Sequence, residues 1–186
     1  MSKTEFNPVH IVGSGLAGSE AAYFLAERGI PVILHEMRPL VNTEAHKTDR
    51  CAELVCSNSF KSKSPQSAPG MLKAEMTRMG SLILRSAAGA TVPGGEALAV
   101  DRDLFAEAVT SAVKSHPLIT FVPGEVTQPP VDSVTLLATG PLTSDALSGW
   151  LAQWQESVVN KARIARPRQI YTGSDERTYV PMAQRS

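Results

Sequence analysis

The apolar positions of this chain follow two periods in alternation, one of strands and one of helices. Val9 to Val12 is a short apolar run suited to a buried strand. Leu16, Ala17, Ala21, Phe24 and Leu25 then recur at helical spacing, which predicts a helix over Leu16–Glu27 that Gly29 and Pro31 stop. Val32 to His35 reads as a second strand ending at Glu36. From Arg38 to Pro69 the periodicity lapses into Ser, Asn, Thr, Lys and Pro, the pattern of an irregular connection, and connections this long in compact domains usually serve function. A helix is predicted next over Gly70–Ala88, with Met71, Leu72, Met76, Met79, Leu82 and Ile83 along a stripe that reads as core. After a strand at Ala97–Val100, Asp101 suits the N-cap of a helix whose Leu104, Phe105, Ala108, Val109, Ala112 and Val113 share one face. Strands at Ile119–Val122 and Val134–Ala138 follow, the last running into Thr139, Gly140 and Pro141. Strands alternating with helices predict an α/β fold around a parallel sheet.

The turn between the first strand and helix, Gly13-Ser14-Gly15-Leu16-Ala17-Gly18, is a GxGxxG sequence in the βαβ setting that gives it meaning. Gly13 permits the tight turn, Gly15 lets backbone approach a pyrophosphate, and Gly18 lets the helix pack close to the strand. The helix N-terminus then directs N–H groups and dipole charge at the phosphates. Glu36 lies at the usual distance of about 20 residues, where a carboxylate accepts from a ribose hydroxyl. A carboxylate there repels a ribose phosphate, so NAD or FAD suits the site better than NADP. The residues alone leave NAD and FAD open. Thr139 and Gly140 bring further backbone N–H groups to the carboxyl edge of the sheet, where ligands of such folds bind.

Composition narrows the class. A chain 42% hydrophobic and 19% charged is ordinary for a globular domain and argues against disorder. There is no apolar stretch long enough for a membrane span, and the N-terminus lacks the pattern of a secretory signal, so with two cysteines a cytoplasmic location is expected. Charge is balanced overall but not along the chain. Residues 1–150 hold 12 Lys/Arg against 15 Asp/Glu, and residues 151–186 hold 6 against 3. Without interleaved aromatics, the basic end reads first as a solvated face. In the long connection His46, Asp49, Cys51, Glu53 and Cys56 cluster, yet the spacing matches neither a zinc site nor a two-residue dithiol, so no metal is expected. On its own residues Cys56 reads as a small buried hydrophobe.

The stretches "VGSGLAGSEAAYFLAERGIPVILHEMRP", "AHKTDRCAELVCSNSFKS", "GMLKAEMTRMGSLI", "VPGGEALAVDRDLF" and "LLATGPLTSDAL" together resemble the amino-terminal part of the folate- and FAD-dependent tRNA (uracil-5-)-methyltransferase family, over about Val9 to Leu147. The resemblance implies a Rossmann-like FAD-binding fold of the glutathione-reductase type, incomplete here. Residues 1–148 would be the amino-terminal part of the FAD-binding domain and 149–186 a divergent basic tail. It makes the dinucleotide FAD, held by Gly13, Ser14, Gly15, Leu16, Ala17, Gly18, Glu36, Thr139 and Gly140, with the Val126 backbone at the adenine. It makes Cys56 the functional thiol near the flavin, reversing the reading above, and leaves Cys51 a packing position.

The implied reaction moves the methylene carbon of methylenetetrahydrofolate to C5 of the T-loop uracil of tRNA, with reduced FAD, recharged by NADH or NADPH, supplying the reducing equivalents. A thiolate adds to C6 of the flipped-out base, a task the family gives to a second cysteine farther along its sequence. From about Trp150 this chain does not resemble the family's continuation, so a truncated or frameshifted product without activity of its own is expected. The alternative of another class is a non-catalytic dinucleotide-binding remnant or interaction module. The related flavoprotein that modifies wobble uridines fits "AELVCSNS" less well.

Overall fold

β1 (Val9–Val12), α1 (Leu16–Ala26) and β2 (Val32–Glu36) form the opening βαβ unit, with β1 and β2 parallel and Val9 opposite Val32. The computed structural model describes residues 6–130, 132–165, 168–171 and 177–180, and the chain divides into two units, Met1–Thr143 and Ser144–Ser186. After β2 come β3 (Ser59–Ser62), α2 (Ala68–Arg78), α3 (Leu82–Gly89), β4 (Thr91–Val92), β5 (Ala97–Val100), α4 (Arg102–Ser115), β6 (Ile119–Pro123) and β7 (Thr135–Leu137). β6, β2, β1 and β7 make one all-parallel sheet in that order, and β3, β5 and β4 a small antiparallel one. The first unit is thus the predicted α/β, Rossmann-like fold.

The core lies between the parallel sheet and α1, α3 and α4. Ile11, Val32 and Leu34 meet Ala22, Phe105, Val109 and Val113 there, all essentially without solvent contact. α1 turns a different face inward from the one its large apolar residues suggest. Gly18, Ser19, Ala22 and Ala26 are buried, whereas Leu16 is exposed and Phe24 and Leu25 are half-buried. A helix crossing close over a strand needs small residues at the contact, which leaves the bulky ones on its flank. α4 is shifted in the same sense: Phe105, Ala106, Val109, Thr110 and Val113 are buried and Leu104 is exposed. Its cap is as predicted, with the Asp101 carboxylate accepting from the N–H groups of Asp103 and Leu104 at 3.0 Å each.

The single helix expected over Gly70–Ala88 is two. Gly80 takes φ +82°, which ends α2, and Ser81 caps α3 by accepting from Leu84 N–H at 3.2 Å. Glu20 of α1 reinforces the new start by accepting from the Ser81 hydroxyl at 2.8 Å and from Ile83 N–H at 2.9 Å. Breaking there removes the Met stripe from the core. Met71, Leu72 and Met79 are more than half exposed, while Leu82 and Ile83 beyond the break are buried. Leu72, Met76 and Met79 of the stripe wall an apolar groove of about 790 Å³ together with Leu16, Phe24 and Phe60. The connection after β2 is also less irregular than its sequence suggests, since it contains β3, and α2 starts at Ala68 under a Ser67 cap.

In the second unit, α5 (Asp145–Ala165) is a 21-residue helix bearing a stacked pair, Trp150 and Trp154, with ring centroids 6.2 Å apart. β8 (Arg168–Tyr171) and β9 (Arg177–Val180) pair antiparallel. The remaining positions of the basic tail lie outside the described residues. No helix among the described residues is long and apolar enough to cross a membrane.

Candidate functional site

Because all four strands of the main sheet run parallel, their carboxyl ends gather at one edge, and the predicted residues collect there. Gly13 follows β1, Glu36 ends β2, Val126 lies three residues beyond β6, and Thr139 and Gly140 lie just beyond β7. Gly13 takes φ +99°, and a Cβ built on it would stand 2.8 Å from the Ala138 carbonyl oxygen and 3.0 Å from Thr139 Cα. The turn and the end of β7 are therefore in backbone contact. Gly124 ties the end of β6 to the same edge, its N–H donating to the Glu36 carbonyl at 2.7 Å.

The glycines of the turn differ in surroundings. A Cβ on Gly18 would lie 1.8 Å from the Gly13 carbonyl oxygen, so that position admits glycine alone. A Cβ on Gly15 would meet no atom within 4 Å, and Gly15 has the ordinary extended angles φ −65°, ψ −168°. Its lack of a side chain answers to no contact within the protein and leaves open volume at the start of α1. That helix has no side-chain cap and no acidic residue in its first turn. The N–H groups of its first turn, at Leu16, Ala17 and Gly18, are thus available to an anion. An open cradle against uncapped N–H groups fits a dinucleotide pyrophosphate.

Glu36 is buried and organises the turn. Its Oε2 accepts from the Ser14 N–H at 3.0 Å and the Ser14 hydroxyl at 2.6 Å. Its Oε1 accepts from the N–H and the Nε of Arg38, at 3.0 and 2.9 Å. Burial pushes the Glu36 carboxyl up, but the hydrogen bonds from Arg38 and Ser14, with the Arg38 charge, outweigh it and bring the group down to about 2. It is a carboxylate at any working pH.

Arg38, 2% exposed, is the functional candidate that the sequence reading passed over. Besides Glu36 it reaches Glu53 Oε2 at 3.2 Å and the carbonyls of Thr48 and Arg50 at 3.0 and 3.3 Å. The available signal was an arginine placed just after the strand that ends in the ribose-type acid. Glu53 belongs to the cluster of His, Asp, Cys and Glu whose spacing predicts no metal site. It accepts instead from the N–H groups of Lys47 and Thr48 and from the Thr48 hydroxyl, and these bonds, against the upward push of burial, lower its carboxyl. Among the described residues no group of three His, Cys, Asp or Glu side chains is placed to hold a metal ion.

The two cysteines separate cleanly. Cys51 has no solvent exposure, its N–H donates to the Thr110 hydroxyl at 2.9 Å, and burial pushes its thiol up. Ala52 beside it takes φ +54° and donates its N–H to the Ser14 carbonyl at 2.9 Å, which fastens the cysteine-bearing segment to the glycine turn. Cys56 is exposed, contrary to the buried small hydrophobe that its residue type alone suggests, and its carbonyl accepts from Arg102 at 3.4 Å. Thiolate and access together govern alkylation. Brief iodoacetamide treatment of the native chain should therefore modify Cys56 and spare Cys51, as read by peptide mass; equal labelling of both would overturn the assignment.

Comparison with known proteins bears on the family of the chain. The family model described as glucose inhibited division protein A matches residues 8–162, beyond the stretches quoted above. The methylenetetrahydrofolate--tRNA-(uracil-5-)-methyltransferase TrmFO of Azorhizobium caulinodans is 60% identical over 151 residues, covering 80% of this chain and 32% of that protein. The proteins of the same name from Streptococcus pneumoniae and Streptococcus suis are 58% and 54% identical, covering 75% and 80% of this chain and 32% and 33% of their own. This chain spans about a third of the length of these curated relatives. The crystal structure of the GidA-related protein from Thermus thermophilus aligns over 74% of this chain and 54% of its own, at 19% identity and a TM-score of 0.40. With more than half of its length matched by the family model, the chain belongs to the glucose inhibited division protein A family.

Proposed function

We propose that this chain is the dinucleotide-holding part of a folate- and FAD-dependent tRNA (uracil-5-)-methyltransferase acting in the cytoplasm. The observation that carries the reading is the glycine turn, whose open volume at Gly15 faces uncapped N–H groups beside an ionised, buried Glu36. The names of relatives up to 60% identical supply the substrates, methylenetetrahydrofolate and a tRNA uracil. FAD is the cofactor, supplying reducing equivalents when bound, and NADH or NADPH is the external reductant.

The residues divide the work in chemical terms. Gly13 to Gly18 and the start of α1 hold the pyrophosphate, Glu36 meets a ribose hydroxyl, and Thr139 and Gly140 border the pyrophosphate from the end of β7. The Val126 backbone serves the adenine. Cys56 is the accessible thiol of the site, and Cys51 is buried in the core.

Two measurements test the reading. The purified chain should quench flavin fluorescence on titration with FAD and bind NAD more weakly; preference for NAD would remove the assignment. A chimera that carries residues 9–147 in place of the matching part of the Azorhizobium protein should form methyluridine on unmodified tRNA. Cys56→Ala in that chimera should abolish the product. A folded, FAD-loaded chimera without activity, or full activity after Cys56→Ala, would refute the proposed role.

A further inference from the structure

The Glu36 carboxylate is fully engaged. A carboxylate offers about four acceptor positions, and donors from Ser14 and Arg38 occupy two on each oxygen. A ribose hydroxyl can donate to Glu36 only if one of these donors gives way. Ser14 and Arg38 each lead to the segment that carries Cys56. The Ser14 carbonyl holds the N–H of Ala52, and the Arg38 guanidinium holds Glu53 and the carbonyls of Thr48 and Arg50.

Cys56 lies three residues beyond Glu53. The next anchor on its other side is Asn58, whose side chain donates to the Val100 carbonyl at 3.1 Å and whose carbonyl accepts from Val100 N–H at 2.9 Å. Cys56, whose own carbonyl accepts from Arg102 at 3.4 Å, therefore lies between a fixed point on β5 and Glu53, which Arg38 holds together with Lys47 and Thr48. The guanidinium is a rigid planar fork, so a shift of its Nε at Glu36 carries its two terminal nitrogens along. An ammonium at the same place directs its three donors from a single nitrogen and lacks the fork that joins Glu36 rigidly to the groups around Glu53.

We infer that Arg38 is a positioning residue that couples occupancy of the dinucleotide turn to the reactivity of Cys56. The inference rests on the reading of Gly13–Gly18 and Glu36 as a dinucleotide site. ADP is the suitable probe, because it brings the ribose and pyrophosphate and has no isoalloxazine ring to shield the thiol directly.

The experiment measures the rate of Cys56 alkylation by iodoacetamide in the full 186-residue chain, with and without saturating ADP, beside the ADP affinity from calorimetry. ADP should change the rate by about fivefold or more, the lower end of ordinary coupling between sites. In Arg38→Lys and in Glu53→Gln, ADP should still bind while the rate with and without it agrees within about twofold. Glu53→Gln leaves Glu36 and the turn intact, so it decides the matter if Arg38→Lys does not fold. Failure of ADP to bind the wild-type chain would sink the dinucleotide site itself. Binding without a rate change, or an equal rate change in a folded Glu53→Gln chain, would sink the coupling and leave the site standing.

Discussion

Gly18→Ala should deprive the chain of its fold, whereas Gly15→Val should deprive it only of its ligand. The alanine methyl at 18 would be placed 1.8 Å from the Gly13 carbonyl oxygen, a backbone atom held in a turn with φ +99° and in contact with the end of β7. Relief requires α1 to lift from β1, which opens the contact made by Ala22 and Ala26. Overpacking of this kind against backbone costs more than the usual 1–3 kcal/mol, roughly 4 kcal/mol or above. For a chain of this size that is a fall in Tm of roughly 10 °C or more, or no cooperative transition at all. Gly15 presents the opposite case. A valine there meets no protein atom at its Cβ and adopts backbone angles open to any residue, so Tm should stay within a few degrees. Its isopropyl group fills the volume beside the first N–H groups of α1, and FAD affinity should fall at least about 100-fold, some 2.7 kcal/mol. Circular dichroism melts and flavin titrations of both variants check the pair. A Gly18→Ala chain that melts like the wild type, or a folded Gly15→Val chain with undiminished affinity, would remove the structural assignment of the turn.

The contrast shows which parts of this fold a sequence discloses. The strand ends and the helix starts follow from local chemistry, and β1, α1, β2, β5, α4, β6 and β7 all fall within a few residues of where periodicity and caps place them. The edge on which Gly13, Glu36 and Thr139 meet follows from strand direction alone. Helix orientation was less legible. α1 carries large apolar residues on one flank, but the inward face is chosen by how closely a backbone can approach, and small residues win there. The Met-rich stripe of α2 misled for a related reason: a helical period reports that a face is apolar without reporting what it packs against. Gly80 and Ser81 ended that helix with a stop and a cap, but the partner that fixes the new start, Glu20, lies 61 residues away from Ser81. Arg38 and Glu53 are long-range in the same sense. Each is an unremarkable surface-type residue in sequence, and only the burial of Arg38 between Glu36 and a half-buried Glu53 reveals a network.

Acid should expose that network through Glu36. The group stands at about 2 in the fold against an ordinary value of 4.5. On acidification the unfolded chain takes up this proton first, so the contribution of Glu36 is complete above about pH 4.5 and is lost as pH falls toward 2. A displacement of that size corresponds to about 3 kcal/mol in all, of which about 2 kcal/mol is gone by pH 3. Glu36→Gln removes the titration and leaves Arg38 buried with one carboxylate fewer, so at pH 7 the variant should be less stable by about 3 kcal/mol or more. The two chains keep every other carboxylate in common, including Glu53. Urea unfolding at pH 7 and pH 3 should therefore find the gap between them narrower by about 2 kcal/mol at the lower pH. A gap that stays constant across that range would mean that Glu36 does not titrate with its bonds to Ser14 and Arg38 intact, and the network drawn from those distances would have to be abandoned.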